Sequence, residues 1–289
     1  IFLFCIALTI FVDMWGVSKR FLHNDEYSEI EKRLTRQNGL KFWQDYDLKI
    51  YPHDPKEADL AIRDYEISQD NSLVIKIQNR IKNVLNEFQD SDYRNRIAKI
   101  QSFKELNFNT NYRVLEMGNP LNNARTSFLH KSLGGYSAVK FKRVQEVLDF
   151  HFKREYNSLN TALKNNQFSL LASNNFFNML NTKYYIFNLD GNGVIDLKSQ
   201  FKNKTPGVLK NPYALGNAWT IKEIKWVSNP DDEFLSLNDT SFDPSSLAII
   251  NEKYKQLIPN SLTSGKSKVF MKSYKANKIE YEIEAMDNE

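Results

Sequence analysis

The most constraining stretch of this chain lies between a strand that cannot continue and a helix that cannot yet begin. Tyr112 to Met117 carries apolar side chains at Val114, Leu115 and Met117 and reads as a strand. Asn119 to Arg143 follows, with Pro120, three asparagines and the pair Gly134-Gly135, residues that favour turns over regular structure. Apolar spacing resumes at Val139, Val144, Val147, Leu148 and Phe152, which predicts a helix of about four turns beginning near Ala138. A strand, a long polar loop and a helix open an α/β unit.

The rest of the chain keeps alternating. Asp54-Pro55-Lys56-Glu57 reads as a helix start, with Asp54 as cap, proline in the first turn and Glu57 three residues after the cap. Leu73 to Phe88 has helical spacing, and Ile97 and Ile100 mark a third helical piece. Phe176 to Leu180 reads as a short helix, Lys183 to Phe187 as a strand, and Asn217 to Val227 as another strand with a bulge or two-sided burial. Asn229 to Leu237 starts with helix-capping residues, Leu247 to Ile250 is a short strand, and Val269 to Ile283 alternates as a hairpin turning near Ala276-Asn277. The expected fold class is α/β, a mixed sheet with interspersed helices. A length of 289 residues, 41% hydrophobic and 13% aromatic, supports a packed body. The formal charge of +4 is small and dispersed, and no basic stripe is interleaved with aromatics, so nucleic acid is not an expected partner. Cys5 is the sole cysteine, which excludes an internal disulfide and a cysteine zinc site.

Polar groups on a loop at a strand end are where binding residues concentrate. The candidate substrate-binding set is therefore Asn119, Asn123, Arg125, His130, Lys131, Gly134, Gly135 and Tyr136, with no acidic residue between Asn119 and Arg143. The planar fork of Arg125 suits a phosphate or carboxylate, and His130 and Lys131 can donate to an anion. Each has a plainer reading. Arg125 can pair with Glu116 or Asp149, His130 and Lys131 can be a surface pair, and Gly134-Gly135 can be a tight turn. There is no Ser-His-Asp order, phosphate loop or metal-ligand spacing, so no catalytic residue, metal or cofactor is assigned. Asn188 to Asp196 imitates a calcium loop, but Ser199 stands where the bidentate acid belongs and a strand precedes it; a hairpin turn is the better reading. Trp219 and Tyr213, beside Gly216-Asn217, read as a sugar-stacking face or as core aromatics. His23, His53 and His151 are isolated and receive no role.

At the amino end, Ile1 to Val12 is an unbroken apolar run, shorter than the roughly 20 residues that span a bilayer. It reads as a core helix or as the last part of a membrane helix with Trp15 at the interface. The expected organisation is the end of a transmembrane helix over 1–17, an irregular lead-in over 18–53, and an α/β domain over 54–289, incomplete at its carboxyl end and holding a helical insertion over 66–109.

Three blocks of this sequence carry a resemblance. They are Asn119-Pro120 through Lys140-to-Arg143, Asn178-Met179-Leu180-Asn181-Thr182-Lys183-Tyr184-Tyr185-Ile186, and Asn211-Pro212-Tyr213-Ala214-Leu215-Gly216-Asn217-Ala218-Trp219. Together, in this order, they resemble the signature of the YfhO family of bacterial membrane proteins, related to lipid-dependent glycosyltransferases of the GT-C type. The resemblance implies a domain on the extracytoplasmic side of the bacterial cytoplasmic membrane. Its partners would be the membrane and a polyprenyl-phosphate-linked sugar or envelope polymer, and its catalytic acid would lie in an earlier loop that this stretch does not contain. Lys19 and Arg20 would place their end of the helix in the cytoplasm, but local charge is a weak determinant ahead of a large domain. The competing class is a non-catalytic carbohydrate-, polymer- or partner-binding domain.

Overall fold

The computed structural model describes residues 53–85, 91–137, 139–165, 167–191, 193–195, 207–258, 266–275 and 277–286. The expected membrane-helix end over 1–17 and all of the expected lead-in over 18–53 except His53 lie outside these residues. Among the described residues no helix is long and apolar enough to cross a membrane. The fold is mixed α/β.

A four-stranded sheet forms the centre. Its strands are β1 (Arg113–Glu116), β2 (Thr182–Ile186), β3 (Val194–Ile195) and β4 (Val208–Lys210), in the order β1-β2-β4-β3. β1 and β2 are parallel, β2 and β4 antiparallel, β3 and β4 parallel. Strand side chains alternate between faces, and that alternation sorts this core into two layers. Val114, Tyr184, Ile186 and Val208 point to one face, where Ala58 and Ile62 of helix α1 (Glu57–Gln69) cover them. Leu115, Tyr185 and Leu209 point to the other, against Phe152, Leu159, Leu171 and Phe177. Neighbouring residues in β1 and β2 are buried on opposite sides, which is why Val114-Leu115 and Tyr184-Tyr185-Ile186 carry apolar or aromatic side chains without alternation.

The second layer comes from one long helical run. α4 (Lys142–Val147) passes through a π-helical turn, Leu148–Phe152, into α5 (Lys153–Lys164). The short α6 (Asn175–Met179) follows and delivers Phe177 to the core. The helix starts at Lys142, later than the expected start near Ala138, and Val139 is left in solvent. α2 (Asn71–Leu85) and α3 (Ser91–Asn109) pack through Leu73, Phe103 and Leu106 on Leu129 of the loop.

Three further readings need correction. Helix α1 begins at Glu57 with Lys56 as N-cap, because Asp59 accepts the Lys56 N–H at 2.8 Å while Asp54 pairs with Arg96. The segment after Gly193 is no hairpin: β4 inserts between β2 and β3, with the Gly207 carbonyl accepting from Phe187 N–H at 3.0 Å. Of the expected Asn217 to Val227 strand only β5 (Glu223–Val227) forms, because Trp219 turns aside to donate its Nε1–H to the Pro244 carbonyl. β5 pairs in parallel with β6 (Leu247–Asn251), flanked by α7 (Pro230–Ser236), whose start Asn229 caps by accepting the Asp232 N–H at 2.8 Å. β7 (Lys266–Lys275) and β8 (Lys278–Met286) form a separate antiparallel hairpin.

Candidate functional site

The Asn119 to Arg143 loop folds back onto the sheet it leaves. Val114 N–H donates to the Lys131 carbonyl at 2.9 Å and Leu133 N–H to the Val114 carbonyl at 3.0 Å, so the loop runs beside the free edge of β1. The glycine pair closes it. A Cβ on Gly134 would stand 2.1 Å from the Pro120 carbonyl oxygen, and Gly135, at φ +132°, donates its N–H to the same oxygen at 2.7 Å. The close approach that these glycines permit is to the chain's own backbone.

Arg125 and His130 turn inward. The Arg125 guanidinium donates to Asp59 Oδ2 at 2.7 Å and Oδ1 at 3.2 Å, and to Glu116 Oε2 at 3.1 Å from Nε and 3.0 Å from Nη2. His130 Nε2 lies 3.2 Å from Asp59 Oδ1; an ionised carboxylate only accepts, so this nitrogen carries the proton. Phe103 stands edge-on to the imidazole at 5.2 Å. Thr126 Oγ1 donates to Glu116, and Asn123 donates to its other oxygen at 3.3 Å. Burial alone would raise the Asp59 carboxyl, but hydrogen bonds from His130 and Arg125 overcome it and hold the group at about 2. Arg125 is thus paired with Glu116, as one of its two plainer readings required, and also with Asp59 of α1, a partner the sequence reading does not name. Asp149, the other proposed partner, binds Gln145 and Lys153 instead.

The remaining candidates disperse. Lys131 Nζ donates to the Thr110 carbonyl and to Asn111 Oδ1, both at 2.6 Å, away from Arg125 and His130. Asn119 accepts from Asn122 and stays at the surface, and Tyr136 is exposed. The three cationic donors do not converge on one anion position. His130 Nδ1 is buried without a hydrogen-bond partner.

The three sequence blocks do meet. Asn211 Nδ2 donates to Asn178 Oδ1 at 2.8 Å and to the Thr182 carbonyl at 2.9 Å, while Leu215 N–H donates to the Asn178 carbonyl at 3.0 Å. Asn181, at φ +54°, bridges the Asn111 carbonyl and Asn217 Oδ1, each at 3.1 Å. β1 then ties the first block to the second.

A wide concavity lies elsewhere. A cleft of about 1030 Å³ opens between α4, α7 and β6, where Phe150, Trp219, Phe234, Phe242 and Tyr254 present aromatic surface. Arg143, Glu146, Asp231, Glu233 and Lys253 supply its charges. Trp219 has its N–H fixed to Pro244, so it offers its ring to the cleft, while Tyr213 is exposed outside it. Phe234 packs edge-on against Phe150 at 5.6 Å and against His151 at 4.3 Å. His151 lines an adjoining chamber of about 110 Å³, and burial pushes its pKa below the ordinary value. Phe150 and His151 share the π-helical turn, whereas Phe234 comes from α7 and Tyr254 from the 3-10 turn that follows β6. Their spacing along the chain shows a helix or a turn, and only α4 packing across α7 and β6 gathers them.

Among the described residues no group of three His, Cys, Asp or Glu side chains is placed to hold a metal. No family model, curated protein or solved structure matches this chain.

Proposed function

We propose that this chain is the extracytoplasmic domain of a YfhO-like integral membrane protein of the glycosyltransferase type acting on cell-envelope polymers, and that the aromatic cleft positions its polyprenyl-phosphate-linked sugar or polymer. The cleft itself carries the reading. Aromatic faces take up the C–H faces of sugar rings, carboxylates accept from sugar hydroxyls, and Arg143 and Lys253 supply cations for a phosphate. The meeting of the three blocks that resemble the family supports the assignment, since they form one hydrogen-bonded unit around β1 and β2.

A non-catalytic carbohydrate- or polymer-binding domain is the second reading, and one observation favours it. Among the described residues the enclosed carboxylates are engaged: Asp59 and the partly buried Glu116 with Arg125, Glu66 with Lys183, and Glu155 with backbone N–H groups. None of these four side chains lines the cleft.

The experiment is titration of the chain with purified lipoteichoic acid, comparing wild type with a Phe150→Ala, Tyr254→Ala double variant. Both side chains are about half exposed and line the cleft. Loss of two stacking faces, at roughly 1 kcal/mol each, is expected to weaken binding on the order of thirtyfold. Unchanged affinity would remove the cleft as the binding surface.

A further inference from the structure

The helix that walls the cleft carries a second surface at its amino end. Tyr136 is 67% exposed, Val139 89% and Phe141 84%, and Val144 is nearly half exposed. No residue of α4 is buried. Large apolar side chains this exposed and this close together mark an interaction site. Lys140, Lys142 and Arg143 alternate with them, while the first acid on the helix, Glu146, comes a turn later and pairs loosely with Lys142 at 3.6 Å. Asp149, the next acid, is held by Lys153 at 2.6 Å.

We propose that the surface formed by Tyr136, Val139, Phe141 and Val144 with Lys140 and Lys142 is a membrane-contact face that seats the domain on an anionic phospholipid headgroup layer. This rests on the reading of the protein as membrane-associated and adds which side of the domain meets the bilayer. The interleaving selects the occupant. A protein interface depletes lysine at its apolar centre, whereas here a lysine stands between Val139 and Phe141 and another directly follows Phe141. A headgroup layer accepts both at once: apolar side chains enter the acyl boundary and the ammonium groups stay among the phosphates. Arg143, Val147 and Phe150 of the same helical run line the cleft, so this orientation puts the cleft mouth beside the lipid surface.

The test uses the full chain carrying Cys5→Ser and a nitrobenzoxadiazole label on Val139→Cys, with Ile75→Cys on α2 as the labelled control. Vesicles are equimolar phosphatidylglycerol and phosphatidylcholine, or phosphatidylcholine alone. The label at 139 is expected to shift to the blue and resist dithionite only with the anionic vesicles, while the label at 75 stays in water. Each lysine near such a surface is worth roughly fivefold, so Lys140→Gln with Lys142→Gln should raise the lipid concentration needed for that shift by about 25-fold. If the chain sediments with vesicles but the label at 139 stays accessible, this face is wrong and membrane association stands. If the chain does not sediment with either vesicle, both fall. A label already protected without lipid places the surface against another copy of the chain, which also overturns the proposal.

Discussion

The Asp59–Glu116–Arg125–His130 cluster and the aromatic cleft contain the same kinds of charged side chain in opposite surroundings. In the cluster, every oxygen of Asp59 and every nitrogen of the Arg125 guanidinium has a partner, and both side chains are buried. In the cleft, Arg143, Asp231 and Glu233 line open space, Glu146 pairs only loosely with Lys142 at 3.6 Å, and Lys253 lies over the Tyr254 ring. A buried charge is tolerable only when paired, and a paired charge has no capacity left for a ligand. The cluster therefore holds the loop to α1 and β1, whereas the charges that line the cleft stay accessible to a ligand.

The sharpest way to break this contrast is to remove Arg125. Arg125→Ala leaves the buried Asp59 and the partly buried Glu116 without their guanidinium partner, a loss of about 3–5 kcal/mol. At roughly 2–4 °C per kcal/mol for a chain of this size, a fall in melting temperature on the order of 10 °C is expected by calorimetry. An unchanged melting temperature would mean that the guanidinium is not structural and would reopen its role as a ligand-binding group.

The next largest effects are pH dependences of opposite sign. Burial pushes the Glu155 carboxyl from 4.5 up to about 7, although Phe176 and Phe177 donate backbone N–H groups to it. Above pH 4.5 the unfolded chain ionises this group while the folded chain still holds the proton. This group's contribution is therefore fully present below pH 4.5 and is lost as the pH rises to about 7, by about 3 kcal/mol, and Glu155→Gln should flatten that slope. Asp59 behaves in reverse. Its folded value of about 2 lies below the ordinary 3.8, so its contribution of about 2 kcal/mol is present above pH 4 and disappears as the pH falls towards 2. Denaturant midpoints across this range would register both, and a profile without the neutral-side decline would remove Glu155 from the account.

The smallest expected effect is the complement of the first. Phe150→Ala and Leu235→Ser alter cleft side chains that are each 56% exposed, so neither should move stability by more than about 0.5 kcal/mol. A large loss in either would show that the cleft wall is core and not a binding surface.

Much of the framework was legible because local patterns match local structure. The α1 region, β1, β2, α7, β6 and the β7–β8 hairpin follow from apolar period and turn residues within about ten positions. The loop's separateness was equally legible, since proline, asparagine and paired glycine cannot sustain a helix or strand. Its function was not. Nothing in the order of residues states that Arg125 meets Asp59 on another helix, because that pairing needs β1 to carry Glu116 past α1.

The sequence by itself determined the class, an alternation of strands and helices whose apolar side chains fall on a sheet with two covered faces. Tertiary structure alone decided the insertion of β4 between β2 and β3, the departure of Trp219 from its strand, and which cations are enclosed and which are free. The physical reason is range. Hydrophobic period and turn chemistry act between neighbours in the chain, whereas burial, and with it the difference between a structural charge and an available one, is set by elements that meet only after the sheet has formed.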